Sequence, residues 1–95
     1  MYAVLRSTPG KKAYEVASVL EQRKAEMGQL LRLINGFVSY SLVCTEEGTI
    51  SVSVFRDKAC AKEGIRVQLD WIKNNAPDLE PPGLAEGPVL ISIVA

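Results

Sequence analysis

The stretch Phe37–Phe55, FVSYSLVCTEEGTISVSVF, constrains this chain more than any other. Two runs of apolar-polar alternation flank a short polar break, Thr45-Glu46-Glu47-Gly48. Alternation with a period of two on both sides of a glycine-containing turn predicts a β-hairpin. In its first arm Val38, Tyr40, Leu42 and Cys44 share one face, and Phe37, Ser39, Ser41 and Val43 the other. In its second arm Ile50, Val52 and Val54 oppose Ser51, Ser53 and Phe55. Each arm therefore has one strongly apolar face. A surface floored by Ser39, Ser41, Ser51 and Ser53 either leaves room for a ligand or turns its serines to water or an interface.

The rest of the chain reads as what lies beside the hairpin and what covers it. Tyr2–Ser7 is a β-prone first strand, broken by Thr8-Pro9-Gly10, where Thr8 can cap a helix and Pro9 can occupy its first turn. Lys11–Ile34 predicts one helix. Ala13, Val16, Ala17, Leu20, Met27, Leu30, Leu31 and Ile34 form a single stripe at steps of three and four. Gly28 invites a bend within it, and Asn35-Gly36 stops it. After the hairpin, Asp57 is a good cap for a second helix over Lys58–Asn75. Its core stripe is read as Ala61, Ile65, Leu69, Ile72 and Ala76, with Cys60, Gly64, Val67 and Trp71 on a neighbouring stripe. Asn74-Asn75-Ala76-Pro77 ends that helix. Leu79–Gly87 reads as an irregular connector, and Pro88–Ala95, apolar on both faces, as a buried last strand.

The order β-α-β-β-α-β is the split βαβ, or ferredoxin-like, arrangement of the α+β class. It is a four-stranded antiparallel sheet with two helices on one face. Right-handed crossovers set strand one between strands three and four. Two helices cover one face of such a sheet and leave the other bare. Ninety-five residues make one domain, 1–95, and 47% of them are hydrophobic. That is apolar surface in excess of what a lone domain of this size conceals. A homodimer joined through the open sheet face, forming a dimeric α/β barrel, is the expected remedy.

Charge and punctuation exclude several classes. Eleven basic residues balance eleven acidic ones, so no basic face offers itself to nucleic acid or to an anionic membrane. No charged-then-apolar leader follows Met1, and no run approaches the roughly 20 apolar residues that span a bilayer. The expected compartment is the cytoplasm, in keeping with two cysteines, Cys44 and Cys60, that form no framework and no metal spacing. There is no glycine-rich phosphate loop, no Ser/His/Asp set and no carboxylate cluster for a divalent metal.

Several residues carry a resemblance. YAVLR in strand one, Gly36-Phe37-x-x-Tyr40 at the start of strand two, the Phe55-x-Asp57 exit from strand three and Trp71 late in the second helix are together similar to the dimeric α/β-barrel superfamily. More narrowly, the chain resembles small proteins of the antibiotic biosynthesis monooxygenase type, over nearly its whole length. These are scaffold features, so they speak to fold before activity. The resemblance implies a homodimer with a ligand pocket between sheet and helices. It implies a cofactor-independent monooxygenase-like activity on a small aromatic or polycyclic substrate, with no cofactor. Other members open haem with an iron-binding histidine, and this chain contains no histidine. Cys44, Cys60, Tyr2, Tyr14 and Tyr40 are possible iron donors, but their spacing does not ask for iron. The alternative function is a non-catalytic dimeric module that binds a small apolar or aromatic ligand in the same pocket.

Three residues are candidates for catalysis. Trp71 can stack a flat substrate or donate its indole N–H; otherwise it packs on the helix flank or at a dimer seam. Tyr40 can exchange a proton with a phenolic substrate; otherwise it is a half-buried core tyrosine. Arg6 can stabilise a substrate anion; otherwise it is a solvated or paired surface charge. Asn74 and Asn75 either touch substrate or close a helix end. Cys60 is either a thiol activated by a helix amino terminus or inert packing.

Overall fold

The structure, a computed structural model, describes residues 1–75 and 83–95. The hairpin forms where the alternation places it, as β2 (Phe37–Thr45) and β3 (Gly48–Phe55). The turn is closed by Thr45, whose Oγ1 accepts the backbone N–H groups of Glu47 at 3.2 Å and Gly48 at 3.1 Å. Gly48, at φ +152°, has no substitute: a Cβ there would sit 2.1 Å from the Thr8 carbonyl oxygen. The remaining elements are β1 (Tyr2–Pro9), α1 (Lys11–Gln22), α2 (Lys24–Arg32), α3 (Lys58–Asn75) and β4 (Gly83–Pro88). The four strands lie in the order β2-β3-β1-β4, each pairing antiparallel. This is the α+β ferredoxin-like topology, with the helices on one face. Among the described residues, no helix is long and apolar enough to cross a membrane.

Register decides what each face carries. Tyr40 pairs with Ser53, Leu42 with Ser51 and Cys44 with Thr49, and paired residues share a face. The apolar set of β2 therefore faces the helices, whereas Ile50, Val52 and Val54 of β3 face the open side. The four serines do not floor one surface: Ser51 and Ser53 are buried beneath the helices, and Ser39 and Ser41 are exposed on the open side. A β-bulge between Phe37 and Ser39 lets Phe37 pair with Phe55 and join the core, which strict alternation denies it.

Three other expectations change. The long helix is two: it breaks at Arg23, not Gly28, and Arg23 (φ −109°, ψ 22°) leaves helical geometry. Its guanidinium turns to Glu26, to Asn75 and, 5.2 Å from the ring centroid, to Trp71. Pro9 closes β1 and Gly10, at φ +86°, caps α1 without a side-chain bond, so Thr8 is no cap. The last strand is Gly83–Pro88, which but for Pro88 falls in the segment read as connector. Its partner β1 fixes it by pairing Ser7 with Gly83 and Tyr2 with Pro88, and Tyr2 O–H donates to Glu86 Oε1 at 2.9 Å. An edge strand needs no apolar run on both faces. The apolar run follows it as an exposed arm, Val89–Ala95, anchored by Val89 N–H to the Met1 carbonyl at 2.9 Å. Ala76, the Ala76-Pro77 stop and the Leu79–Pro82 part of the connector lie outside the described residues.

The core packs Val4, Phe55 and Trp71 against Met27, Leu31, Ile34 and Ala61. On α3 the buried residues are Ala61, Gly64, Gln68 and Trp71. Ala61 comes from the predicted stripe and Gly64 and Trp71 from its neighbour, Ile65 and Ile72 pack half-buried against the core, and Leu69 is 45% exposed. Gln68 turns the helix this way because its amide has a buried partner: Nε2 donates to Ser53 Oγ at 3.0 Å.

Asp57 caps α3 as its position predicts, accepting the Cys60 N–H at 2.9 Å. That bond, with the Arg56 charge, holds its carboxyl below the usual aspartate range. A depressed folded pKa stabilises the fold above the ordinary aspartate value, and the contribution is lost as pH falls through the depressed one. Asp57→Ala is therefore expected to lower the melting temperature at pH 7 and to differ little from wild type near pH 2. Thermal scans at the two pH values check this.

Candidate functional site

α1 and α2 do not close tightly over β2. Between them lies a chamber of about 570 Å³, within the range of small-molecule sites. Its walls are chiefly apolar: Ala17 and Leu20 from α1, Met27 and Leu31 from α2, and Phe37 and Leu42 from β2. Exposed Glu21, Lys24, Arg32 and Cys44 also line it. The stripe that builds the helices supplies the ceiling, and the bulge at the start of β2 opens the floor.

Tyr40 belongs to this chamber and to a second, small cavity of about 40 Å³, further across the sheet under α3. Most of the strand residues that line this cavity are polar, while the helices add Val16, Ala17, Leu20, Met27 and Ile72. Arg6, Ser51 and Thr49 are buried, and with Thr8, Gln68 and Tyr40 they line the small cavity. Ala17, Leu20, Met27 and Leu42 line both spaces, so the chamber and the small cavity adjoin. Burial pushes the Tyr40 phenol above its ordinary pKa, while the Arg6 charge and the Ser51 hydroxyl pull against that rise. Tyr40 is thus a protonated donor at neutral pH. Burial also lowers the Arg6 pKa, opposed by Tyr40, and a guanidinium so shifted remains a cation at neutral pH.

The sequence-predicted residues fall in two places. Arg6 and Tyr40 come together at the small cavity. Trp71 lines neither space: it is buried in the core, its indole nitrogen without a hydrogen-bond partner. Asn75 works at the end of α3, where Nδ2 donates to the Trp71 carbonyl at 2.8 Å, and Asn74 is exposed. Cys60 is no activated thiol: its bond with Asp57, then burial, raise its pKa. Sequence reading missed Thr49 and Gln68 as site residues, and it set Ser51 on one floor with Ser39, Ser41 and Ser53 rather than beside Arg6. Their signal was polar residues at positions that register, not alternation, turns inward. Among the described residues no group of three or more acidic or cysteine side chains could hold a metal, and without histidine the chain has no imidazole for a haem iron.

No family model and no curated protein matches the sequence. Solved structures do match its fold. A protein of unknown function from Nitrosomonas europaea, NE2512, superposes with a TM-score of 0.71 at 19% identity, covering 99% of this chain and 93% of that one. The monooxygenase ActVA-Orf6 of Streptomyces coelicolor, in complex with nanaomycin D, gives 0.70 at 14%, covering 99% and 90%. The haem degrader MhuD of Mycobacterium tuberculosis, with two haems bound in its active site, gives 0.65 at 15%, covering 98% of each chain. Over nearly its whole length this chain takes the ferredoxin-like fold of the antibiotic biosynthesis monooxygenase-like proteins, in which both oxygenases and haem degraders are found.

Proposed function

We propose that the chain is a cofactor-independent, monooxygenase-like protein acting on a small aromatic or polycyclic substrate. The observation that carries the reading is the chamber: an apolar space sized for a fused-ring molecule, adjoining a buried cation and a phenol. Such a substrate supplies the electrons to dioxygen. The protein supplies a water-poor site that orients it, a donor at Tyr40 and a positive charge at Arg6 to oppose charge developing on the substrate. Trp71 acts from behind the wall, through Met27 and Leu31, with which it shares the core. ActVA-Orf6, of the same fold, is a monooxygenase that binds nanaomycin D, which favours an oxygenase reading.

The working unit of this reading is a homodimer. Leu5, Val43 and Ile50 are exposed on the open face, and Leu90, Ile91, Ile93 and Val94 on the arm are 79% to 90% exposed. A second copy covers both in one symmetric contact.

A second reading, a binding module without turnover, is favoured by the placement of Trp71 outside the chamber. Oxygen uptake and product formation with a panel of phenolic polycycles separate the two. The oxygenase reading expects turnover that falls about 10²-fold or more in Tyr40→Phe, the range lost with a general acid–base group. Binding without oxygen uptake across the panel leaves the module, and absence of binding sinks both.

A further inference from the structure

We infer that the ligand of this chamber carries a carboxylate, and that Arg6 seats it. This rests on the chamber being a ligand site, as proposed above. Arg6 stands mid-strand in β1 beneath the helix layer, only 6% exposed. Its Nη2 donates to the Ile65 carbonyl at 3.2 Å, while Nε and Nη1 are buried with no partner. Among the described residues the ion pairs belong to Arg23, Arg56 and Arg66, and no carboxylate meets Arg6. A buried cation without a counter-ion is costly to a fold that gains nothing from it. Here it lines the small cavity that adjoins the ligand-sized chamber.

The polar surroundings select the anion. Three N–H bonds of Arg6, on Nε and Nη1, lack acceptors. The cavity is also lined by hydroxyls from Tyr40, Thr49 and Ser51. A carboxylate is acceptor-only, with two oxygens and about four lone-pair sites, and matches a surplus of donors. A neutral amide offers one acceptor oxygen in place of two, and its NH₂ adds donors where acceptors are wanted. The cavity, about 40 Å³, is a few times the roughly 10–15 Å³ that admits one water. It accepts the head group and leaves the ring system in the apolar chamber.

The test uses calorimetric titration of the full chain at pH 7 with anthraquinone-2-carboxylate and its neutral isostere anthraquinone-2-carboxamide. Wild type is expected to bind the carboxylate at least about tenfold more tightly, a difference of the order seen for charge-assisted bonds. Arg6→Met is expected to abolish that preference. Arg6→Met removes an unpaired buried charge, so its melting temperature is expected to hold or rise. Should it not fold, Arg6→Lys decides the matter: it keeps the charge but loses the fork, and is expected to keep a reduced preference. Equal binding of both compounds by wild type overturns the carboxylate assignment and leaves the chamber standing as a ligand site. A preference undiminished in the Arg6 variant overturns the role of Arg6. Binding of neither compound removes the chamber reading and this inference with it.

Discussion

Phe55→Ala is expected to cost about 3–5 kcal/mol, the usual loss for a buried phenylalanine, and to leave the domain marginal or unfolded. The ring is fully buried. It meets Phe37 edge to face, with centroids 6.0 Å apart and planes at 67°, a geometry that adds to its buried area. Above it lies Gly64 of α3. A Cβ on Gly64 would fall 2.2 Å from the ring, so helix and strand approach as closely as they do because that residue has no side chain. Gly64→Ala overpacks the same contact and is expected to cost about 1–3 kcal/mol, against the small gain in helix propensity that alanine brings elsewhere. Urea titration followed by Trp71 fluorescence measures both: the midpoint moves and the slope holds. A melting temperature within a few degrees of wild type for Phe55→Ala contradicts the packing, since ~1 kcal/mol corresponds to ~4–8 °C in a domain of this length. Protein concentration is kept constant, because an associating chain gains stability by mass action.

Ile50→Asp is expected to convert the protein from dimer to monomer. Ile50 lies on the open face, paired with Ser7 on β1 and Val43 on β2, among the exposed apolar residues proposed to meet a second copy. A carboxylate there is buried without a partner twice, once from each side of a symmetric interface. The monomer itself loses little, because the residue points away from the helices. Removal of residues 89–95 is expected to act in the same direction by deleting the exposed arm. Light scattering over a concentration series reads the outcome. A wild-type chain that scatters as a monomer throughout, or an Ile50→Asp variant that still dimerises, rejects this face as the interface.

The two predictions probe opposite faces of one sheet, and that division marks where sequence stops informing. The hairpin, its turn at Thr45–Gly48, the span of α3 and its cap at Asp57 are local. Each follows from alternation, a glycine or a short polar side chain beside the backbone groups it satisfies. Arg6 and Tyr40 were legible as candidates because a guanidinium can oppose a substrate anion and a phenol can exchange a proton with it. Their meeting was not legible, since it depends on Arg6 opposing Ser51 while Leu42 opposes the same residue from the other side.

Periodicity fixes which residues of one element share a face, and with the turn signals it determined the hairpin, α3 and the ferredoxin-like order here, but not the break at Arg23 or the place of β4. It carries no information about which face a neighbouring strand will share, because a slip of one residue exchanges the two faces. Pairing across the sheet therefore decided that Ser51 and Ser53 go inward and Ser39 and Ser41 outward. It decided that α3 turns Gln68 rather than Leu69 to the core, and that β4 is Gly83–Pro88 rather than the greasier run beyond it. The small cavity at Arg6 is a product of those long-range choices, and only the folded chain assembles it.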